Sequence, residues 1–317
     1  MRYRALGAAG PVVSVVGLGC NNFGWRIDES RTREVVDAAI DAGITLFDTA
    51  DMYGNKGGSE TLLGEVLAGR RDHIVLATKF GHQQASMGYD DALGPMGGRA
   101  YIRYALEQSL RRLQTDYIDL YQIHTPDPVT PIEETLAALH ELVLEGKVRH
   151  IGSSQFAAWQ VVEAAHVARE QNLTPFVSAQ NQWSLLERDA ERELAPAARA
   201  YGVGILPFFP LASGLLTGKV RRGAPLPTGS RVEGRESSIT DAQLDTIEAL
   251  ATWADANGRS LLETAISVLA ATEPVASVIA GATSAEQIAL NAAASSWEPT
   301  PEQLAEVAAL LEGATVA

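Results

Sequence analysis

Tyr117-Ile-Asp-Leu-Tyr-Gln-Ile123, then Ile132, Leu136, Leu139 and Val143 at helical spacing, then Val148-Arg-His-Ile151: residues 117–151 read as strand, helix, strand. The two outer runs are short and β-rich, and the middle segment carries a single apolar stripe that a helix turns toward a sheet. Two strands joined through such a helix are parallel. The pattern extends in both directions. Further β-rich runs at Val15 to Leu18, Thr45 to Phe47, Ile74 to Thr78, Phe176 to Ala179, Val203 to Leu206 and Val275 to Ile279 bring the expected strands to eight. Amphipathic segments such as Val35, Val36, Ala39 and Ile40 lie between most of them. The strands are too apolar to keep a wet face, which favours an α/β fold closed as a (β/α)8 TIM barrel over an open doubly wound sheet.

Outward from this repeat, Tyr3 to Val13 contains Gly7, Gly10 and Pro11 and is expected to form a hairpin closing one end of the barrel. Thr240-Asp-Ala-Gln243 and Ser284-Ala-Glu-Gln287 read as capping boxes, and Thr300-Pro301 pairs an N-cap with proline at the first helical position. Leu304, Val307, Leu310 and Leu311 then define an extra C-terminal helix on the barrel exterior. His82 to Gly98 and Pro207 to Ile239 are too long for ordinary connections. Both follow strands, so both are expected as long loops on the C-terminal rim, where barrel sites are built. No linker or repeat divides residues 1–317, which are expected to form a single domain.

Composition narrows the function classes. The 317 residues carry 25 basic and 39 acidic side chains, a net charge of −14, with no run of Lys and Arg. Such a chain repels phosphate backbones and anionic lipid, which argues against nucleic acid and membrane as partners. A lone Cys20 forms no internal disulfide, and Met1-Arg-Tyr-Arg4 leads into no apolar signal segment, so the expected location is cytoplasmic.

Polar groups gather where the second, third and fourth strands end: Asp48 after Phe47, Lys79 after Thr78, His124 after Ile123, and Tyr53 just beyond Asp48. Singly, each has an ordinary structural reading as a loop cap, a solvated charge, a packing ring or a satisfied polar residue. Together on one rim they supply a working proton donor. A tyrosine titrates near pH ~10, a nearby Lys79 cation is expected to lower it toward neutrality, and Asp48 is placed to pair with the lysine.

At these residues the sequence resembles the aldo-keto reductase family. Phe47-Asp48-Thr-Ala-Asp-Met-Tyr53-Gly-Asn-Lys-Gly-Gly-Ser-Glu60 is similar to its first signature, and Lys79 and His124 fall where its lysine and histidine are expected. Gly152-Ser-Ser154, Gln180-Asn-Gln182, Pro210-Leu211, Gly214-Leu-Leu-Thr-Gly-Lys219 and Gly281 to Asn291 extend the resemblance along nearly the whole chain. It implies NADPH bound at the C-terminal rim and transfer of a hydride to a small carbonyl substrate, an aldehyde or ketone. Tyr53 would then donate the proton, His124 orient the carbonyl, and Asp48 and Lys79 tune Tyr53. Some relatives of this barrel instead serve as channel-associated regulatory subunits that bind the cofactor as a sensor. That branch usually has asparagine where this chain has His124, which favours a reductase.

The same resemblance implies the cofactor contacts, Asp48 among them. Gly19, Cys20 and Asn21 follow the first strand; Ser154 and Gln155, the latter where Asn or Arg is usual, would meet the nicotinamide amide together with Gln180; and Phe208 would stack on the ring. Pro210, Leu211 and Ser213 would run along the pyrophosphate with Lys219 supplying charge, and the long loop would fold over as a belt. Gly281, Thr283, Gln287 and Asn291 would hold the adenosine half. NADPH over NADH is expected from Lys219 and Arg231, although no Arg or Lys lies between Gly281 and Asn291 and Leu290 stands where glutamate often meets the adenine. Trp25, Phe80, Trp183 and Phe209 are candidates for an apolar carbonyl pocket.

Other chemistries fit less well. Gly17-Leu-Gly19 lacks the third glycine of a dinucleotide fingerprint, Asn22 standing in its place. The histidines at 73, 82, 124, 140, 150 and 166 show neither H-x-H nor H-x-x-x-H spacing, so no metal site is expected. The strand ends lack the facing carboxylates of a glycosidase.

Overall fold

The computed structural model describes residues 1–228, 231–234 and 239–313. The few remaining positions of the long segment from Pro207 to Ile239, and those after 313, lie outside the described residues.

Eight parallel strands follow one another around a barrel: β3 (Val16–Gly19), β4 (Leu46–Asp48), β5 (Val75–Phe80), β6 (Ile118–Ile123), β7 (Val148–Ser154), β8 (Phe176–Gln180), β9 (Gly204–Ile205) and β10 (Val278–Gly281). From β3 to β9 each pairs with the next, and β10 pairs with β3. Between β9 and β10 the closure is looser: Ile205 bridges Val275, and the Ile279 N–H donates to the Pro207 carbonyl at 3.0 Å. The eighth strand was expected at Val275 to Ile279. Its ladder to β3 begins only at Val278, because residues 275 and 276 are spent on the β9 side, where the Ala276 N–H donates to Ile205 at 2.8 Å.

The expected N-terminal hairpin is β1 (Tyr3–Ala5) against β2 (Val12–Ser14), antiparallel. Its Leu6 and Val13 join Leu46, Ala77, Leu120, Val177, Leu206 and Ala276 in an inner apolar cluster that plugs this end of the barrel. Gly7 makes the close approach possible: its φ is +67°, and a Cβ there would lie 2.5 Å from the Val177 carbonyl oxygen.

Helices α1 (Glu29–Asp41), α2 (Tyr53–Val66), α3 (Arg99–Leu113), α4 (Ile132–Leu144), α5 (Ala158–Glu170) and α6 (Leu194–Ala200) cover the strands, followed by α7 (Asp241–Ala256), α8 (Leu261–Ala271), α9 (Ala285–Ala294) and α10 (Pro301–Gly313). One extra helix was expected, and the described residues form two. After β9 the chain makes α7 before α8, and α7 packs on α10, with Trp253 Nε1 donating to Glu306 at 2.8 Å. The Thr240 capping box is complete. At α9, Ser284 caps the Gln287 N–H as expected, but the Gln287 side chain accepts from the Thr283 N–H at 2.8 Å instead of returning to Ser284.

Strand alternation carries the fold into the site. Leu46, Ala77 and Leu120 belong to the inner cluster, so two residues further along each strand Asp48, Lys79 and Gln122 also face inward, one layer nearer the C-terminal rim.

Candidate active site

A cleft of about 540 Å³ opens on that rim. Beneath its floor the fully buried Lys79 ammonium reaches three oxygens: Asp48 Oδ2 at 2.7 Å, the Thr49 carbonyl at 2.8 Å and the Tyr53 hydroxyl at 3.4 Å. Burial disfavours the charged lysine, but Asp48 and then Tyr53 outweigh it, and the Lys79 pKa ends above its ordinary value. Asp48 Oδ1 accepts from Gln180 Nε2 at 2.9 Å and Gln122 Nε2 at 3.2 Å. These three partners of the carboxylate are side chains from three other strands, β5, β6 and β8.

Tyr53 sits beside this pair at the start of α2, its hydroxyl toward Lys79 and its ring edge-on to His124 with centroids 5.8 Å apart. The expectation that Lys79 brings Tyr53 toward neutrality fails: burial raises the phenol above its ordinary pKa, and the lysine offsets only part of that. Tyr53 thus keeps its proton at neutral pH. His124 is buried, and burial, Lys79 and His82 together hold it well below the usual imidazole range, so it is a neutral ring.

The turn after Tyr53 is unusual. Gly54, Asn55, Lys56 and Gly57 all have positive φ, a left-handed turn that α2 must complete before running on to Glu60. Ser59 then ties the helix back, donating to the Cys20 carbonyl at 2.8 Å with its hydroxyl 2.9 Å from that of Thr49. Left-handed backbone recurs on the rim at Gln155, Phe209, Ser213 and Gly214. Strain of this kind persists where surrounding structure holds it, commonly at ligand sites.

Every residue predicted to contact cofactor lines this one cleft: Gly19, Cys20, Asn21, Asp48, Ser154, Gln155, Gln180, Phe208, Pro210, Leu211, Ser213, Lys219, Arg231, Gly281, Thr283, Gln287 and Asn291. Gly19 and Gly281 are register partners, so no side chain separates the cleft from the adjoining ends of β3 and β10. Gln180 spends its amide nitrogen on Asp48, which leaves Oε1 as an acceptor suited to a carboxamide N–H. Gln155 departs from expectation: its extra methylene lets Nε2 reach the His124 carbonyl at 3.2 Å, making it a brace for the histidine. Arg231 crosses from the long loop to donate to Asn21 Oδ1 and Asn22 Oδ1, both at 2.9 Å, with its guanidinium 5.7 Å above the Phe209 ring. Cys20 is buried, and burial followed by Asp48 pushes its thiol well up, so it is no thiolate. Three cations, Arg26, Lys219 and Arg231, thus line one cleft of an acidic protein. The site fits an extended dinucleotide with a flat amide-bearing ring at Phe208 and anionic groups toward the cations.

The apolar pocket expected from four aromatics is not assembled. Phe80 is buried against Tyr121 with ring centroids 4.7 Å apart, Trp183 is buried and donates to Glu191, and Trp25 is 61% exposed and outside the cleft lining. Phe209 alone lines it, joined by Arg26, Met52 and His82, which sequence reasoning passed over. Gln122 was also missed, although the alternation Leu120, Gln122, His124 along β6 was the available signal.

A model of the Aldo/keto reductase family matches residues 15–312. The chain belongs to this family of oxidoreductases, whose members use nicotinamide cofactors. It is 43% identical over 241 residues to an uncharacterized oxidoreductase of Bacillus subtilis, YrpG, covering 74% of each chain. It is 34% identical over 304 residues to the L-glyceraldehyde 3-phosphate reductase of Escherichia coli K12, covering 92% of this chain and 86% of that one. It is also 34% identical over 327 aligned residues to a probable voltage-gated potassium channel subunit beta of Oryza sativa, covering 98% and 97%. Among the described residues no helix is long and apolar enough to cross a membrane.

Proposed function

We propose that the protein is an NADPH-dependent carbonyl reductase that converts an aldehyde or ketone to the alcohol. The observation that carries this reading is Asp48, Tyr53 and His124 lining one rim cleft with Lys79 buried beneath them, bonded to Asp48 and Tyr53. When bound, NADPH supplies the hydride that reduces the carbonyl carbon. Phe208, Ser154 and Gln180 hold the nicotinamide end, Pro210, Leu211 and Ser213 follow the pyrophosphate, and Thr283, Gln287 and Asn291 hold the adenosine. Lys219 and Arg231 supply the charge that favours NADPH over NADH.

Tyr53 keeps its proton until the carbonyl oxygen needs it. As that proton leaves, the developing phenolate meets the Lys79 ammonium, whose charge Asp48 already balances, so the negative charge forms beside a preorganised cation in a buried site. His124, neutral, donates one hydrogen bond to the same carbonyl oxygen and fixes its direction.

NADPH oxidation with 4-nitrobenzaldehyde tests the reading. Turnover faster with NADPH than with NADH is expected. Tight NADPH binding with no oxidation across an aldehyde and ketone panel would replace the reductase with a cofactor-binding regulatory subunit, the second reading favoured by the 34% identity to the potassium channel subunit.

A further inference from the structure

Arg112 and Glu60 are not among the residues lining the cleft, yet between them they join the elements that carry Tyr53 and Lys79. Arg112 stands in the last turn of α3 and donates through Nε to Glu60 Oε2 of α2 at 2.7 Å. Thr78 of β5 donates to the other oxygen, Glu60 Oε1, at 2.6 Å. The Glu60 side chain is fully buried and that of Arg112 nearly so, which makes this a buried ion pair with both carboxylate oxygens taken. Thr78 and Lys79 are neighbours on β5 and point to opposite faces, Thr78 out to the helix layer and Lys79 into the barrel. The same stretch of strand therefore holds α2 on one face and the Tyr53 hydroxyl on the other.

Tyr53 needs such a tie, because it opens the left-handed turn from Gly54 to Gly57. Asn55 and Lys56 carry side chains at φ +61° and +70°, a conformation that costs free energy and persists only while both ends of the turn are held. Before Tyr53 the chain is fixed to β5, where the Asp51 N–H donates to the Lys79 carbonyl at 3.0 Å. Beyond it, the Arg112 side chain lies so close under Gly57 that a Cβ there would collide with Cδ and Nε, and Glu60 follows three residues later. Ser59 shares the anchoring through Cys20 and Thr49. The Tyr53 hydroxyl meets Lys79 at 3.4 Å, the long end of a hydrogen bond, so a small retreat of the turn breaks the contact. We infer that Arg112, Glu60 and Thr78 are positioning residues for the reduction: their chain of contacts from α3 through α2 to β5 sets the Tyr53 hydroxyl against Lys79. This rests on the reductase reading above.

The test measures NADPH oxidation with 4-nitrobenzaldehyde by the full-length wild type, Arg112→Gln, Arg112→Lys and Thr78→Val, with the NADPH dissociation constant and urea unfolding alongside. Arg112→Gln removes the cation, and Thr78→Val exchanges one hydroxyl for a methyl, cutting the chain of contacts at its other end. A misplaced proton donor slows the chemical step, so kcat is expected to fall about tenfold in Arg112→Gln and about fivefold in Thr78→Val. The NADPH dissociation constant is expected to stay within about twofold, and Arg112→Lys, which returns a cation to Glu60, to recover most of kcat. A tie that served stability alone would lower the urea midpoint and leave kcat of the folded enzyme where it was. An unchanged kcat in Thr78→Val or in folded Arg112→Gln, an equal loss of NADPH binding, or no recovery in Arg112→Lys overturns the assignment and leaves the reductase standing. Thr78→Val decides alone if Arg112→Gln does not fold. A wild type that oxidises no NADPH with any aldehyde or ketone removes both readings.

Discussion

Asp48 and Asp51 stand in the same turn, both almost wholly buried, and their surroundings treat them in opposite ways. Asp48 receives an ammonium on one oxygen and two amide donors on the other. Neither oxygen of Asp51 completes a hydrogen bond with a described residue. Burial, and then the like charge of Glu60, push the Asp51 carboxyl up to about 8, with Arg112 and the Met52 N–H offsetting only part. Arg112 is already committed to Glu60 Oε2 at 2.7 Å, and Thr78 donates to Glu60 Oε1 at 2.6 Å. Desolvation alone keeps a carboxyl neutral; donors from other strands are what make a buried carboxylate affordable. The Asp48 side of the turn is built to hold charge beside Tyr53, and the Asp51 side is built without it.

Lys79→Met breaks the contrast most severely, since it leaves Asp48 buried without its cation. Removing one member of a buried pair costs about 3–5 kcal/mol, and turnover should be lost with it. Urea unfolding and NADPH oxidation together check this, and a variant as stable as wild type would show that the pair holds nothing. Tyr53→Phe removes the proton donor beside the Asp48–Lys79 pair and leaves both carboxyl environments intact. Turnover is expected to fall by roughly 10²–10⁴ with NADPH binding nearly unchanged; retained turnover would mean that another group gives the proton.

Asp51→Asn sharpens the comparison with the smallest change. The folded protein keeps a proton on Asp51 up to about pH 8, while the unfolded chain releases it near its ordinary value of 3.8. Between those limits the folded state binds more protons, so this group makes wild-type stability fall as pH rises, by at most about 1.4 kcal/mol per unit. Asparagine cannot ionise. The stability of Asp51→Asn relative to wild type should therefore grow from pH 5 to pH 8, as urea midpoints across that range would read. Glu60, Arg112, Lys79, Tyr89, Tyr101 and Tyr121 share this neighbourhood and stay unchanged, so parallel curves would mean that Asp51 does not titrate there.

The barrel was legible because strands and helices announce themselves through local periodicity, and seven of the eight expected runs coincide closely with observed strands. The second outer helix was harder to see. The capping box at Thr240 marked where α7 begins, but its buried stripe of Ile247, Leu250 and Ala254 looks like that of any barrel helix. Only its packing on α10 sets it outside the repeat. At the site, the four polar residues and the cofactor residues could be picked out by position at strand ends and by resemblance. The aromatic pocket could not, because whether Trp183 and Phe80 face the cleft or the strand-helix interface depends on where neighbouring elements lie.

By itself, then, the sequence determined the order of strands and helices, the rim on which Asp48, Lys79, Tyr53 and His124 meet, and the family. Spacing along a strand decides which face a residue takes, and that is a short-range property. The tertiary structure alone decided charge and access: a protonated Tyr53, a paired Asp48, a neutral Asp51, and His82 beside His124. These follow from desolvation and partners, and the partners are distant in sequence. The donors that hold Asp48 come from residues 31, 74 and 132 positions away.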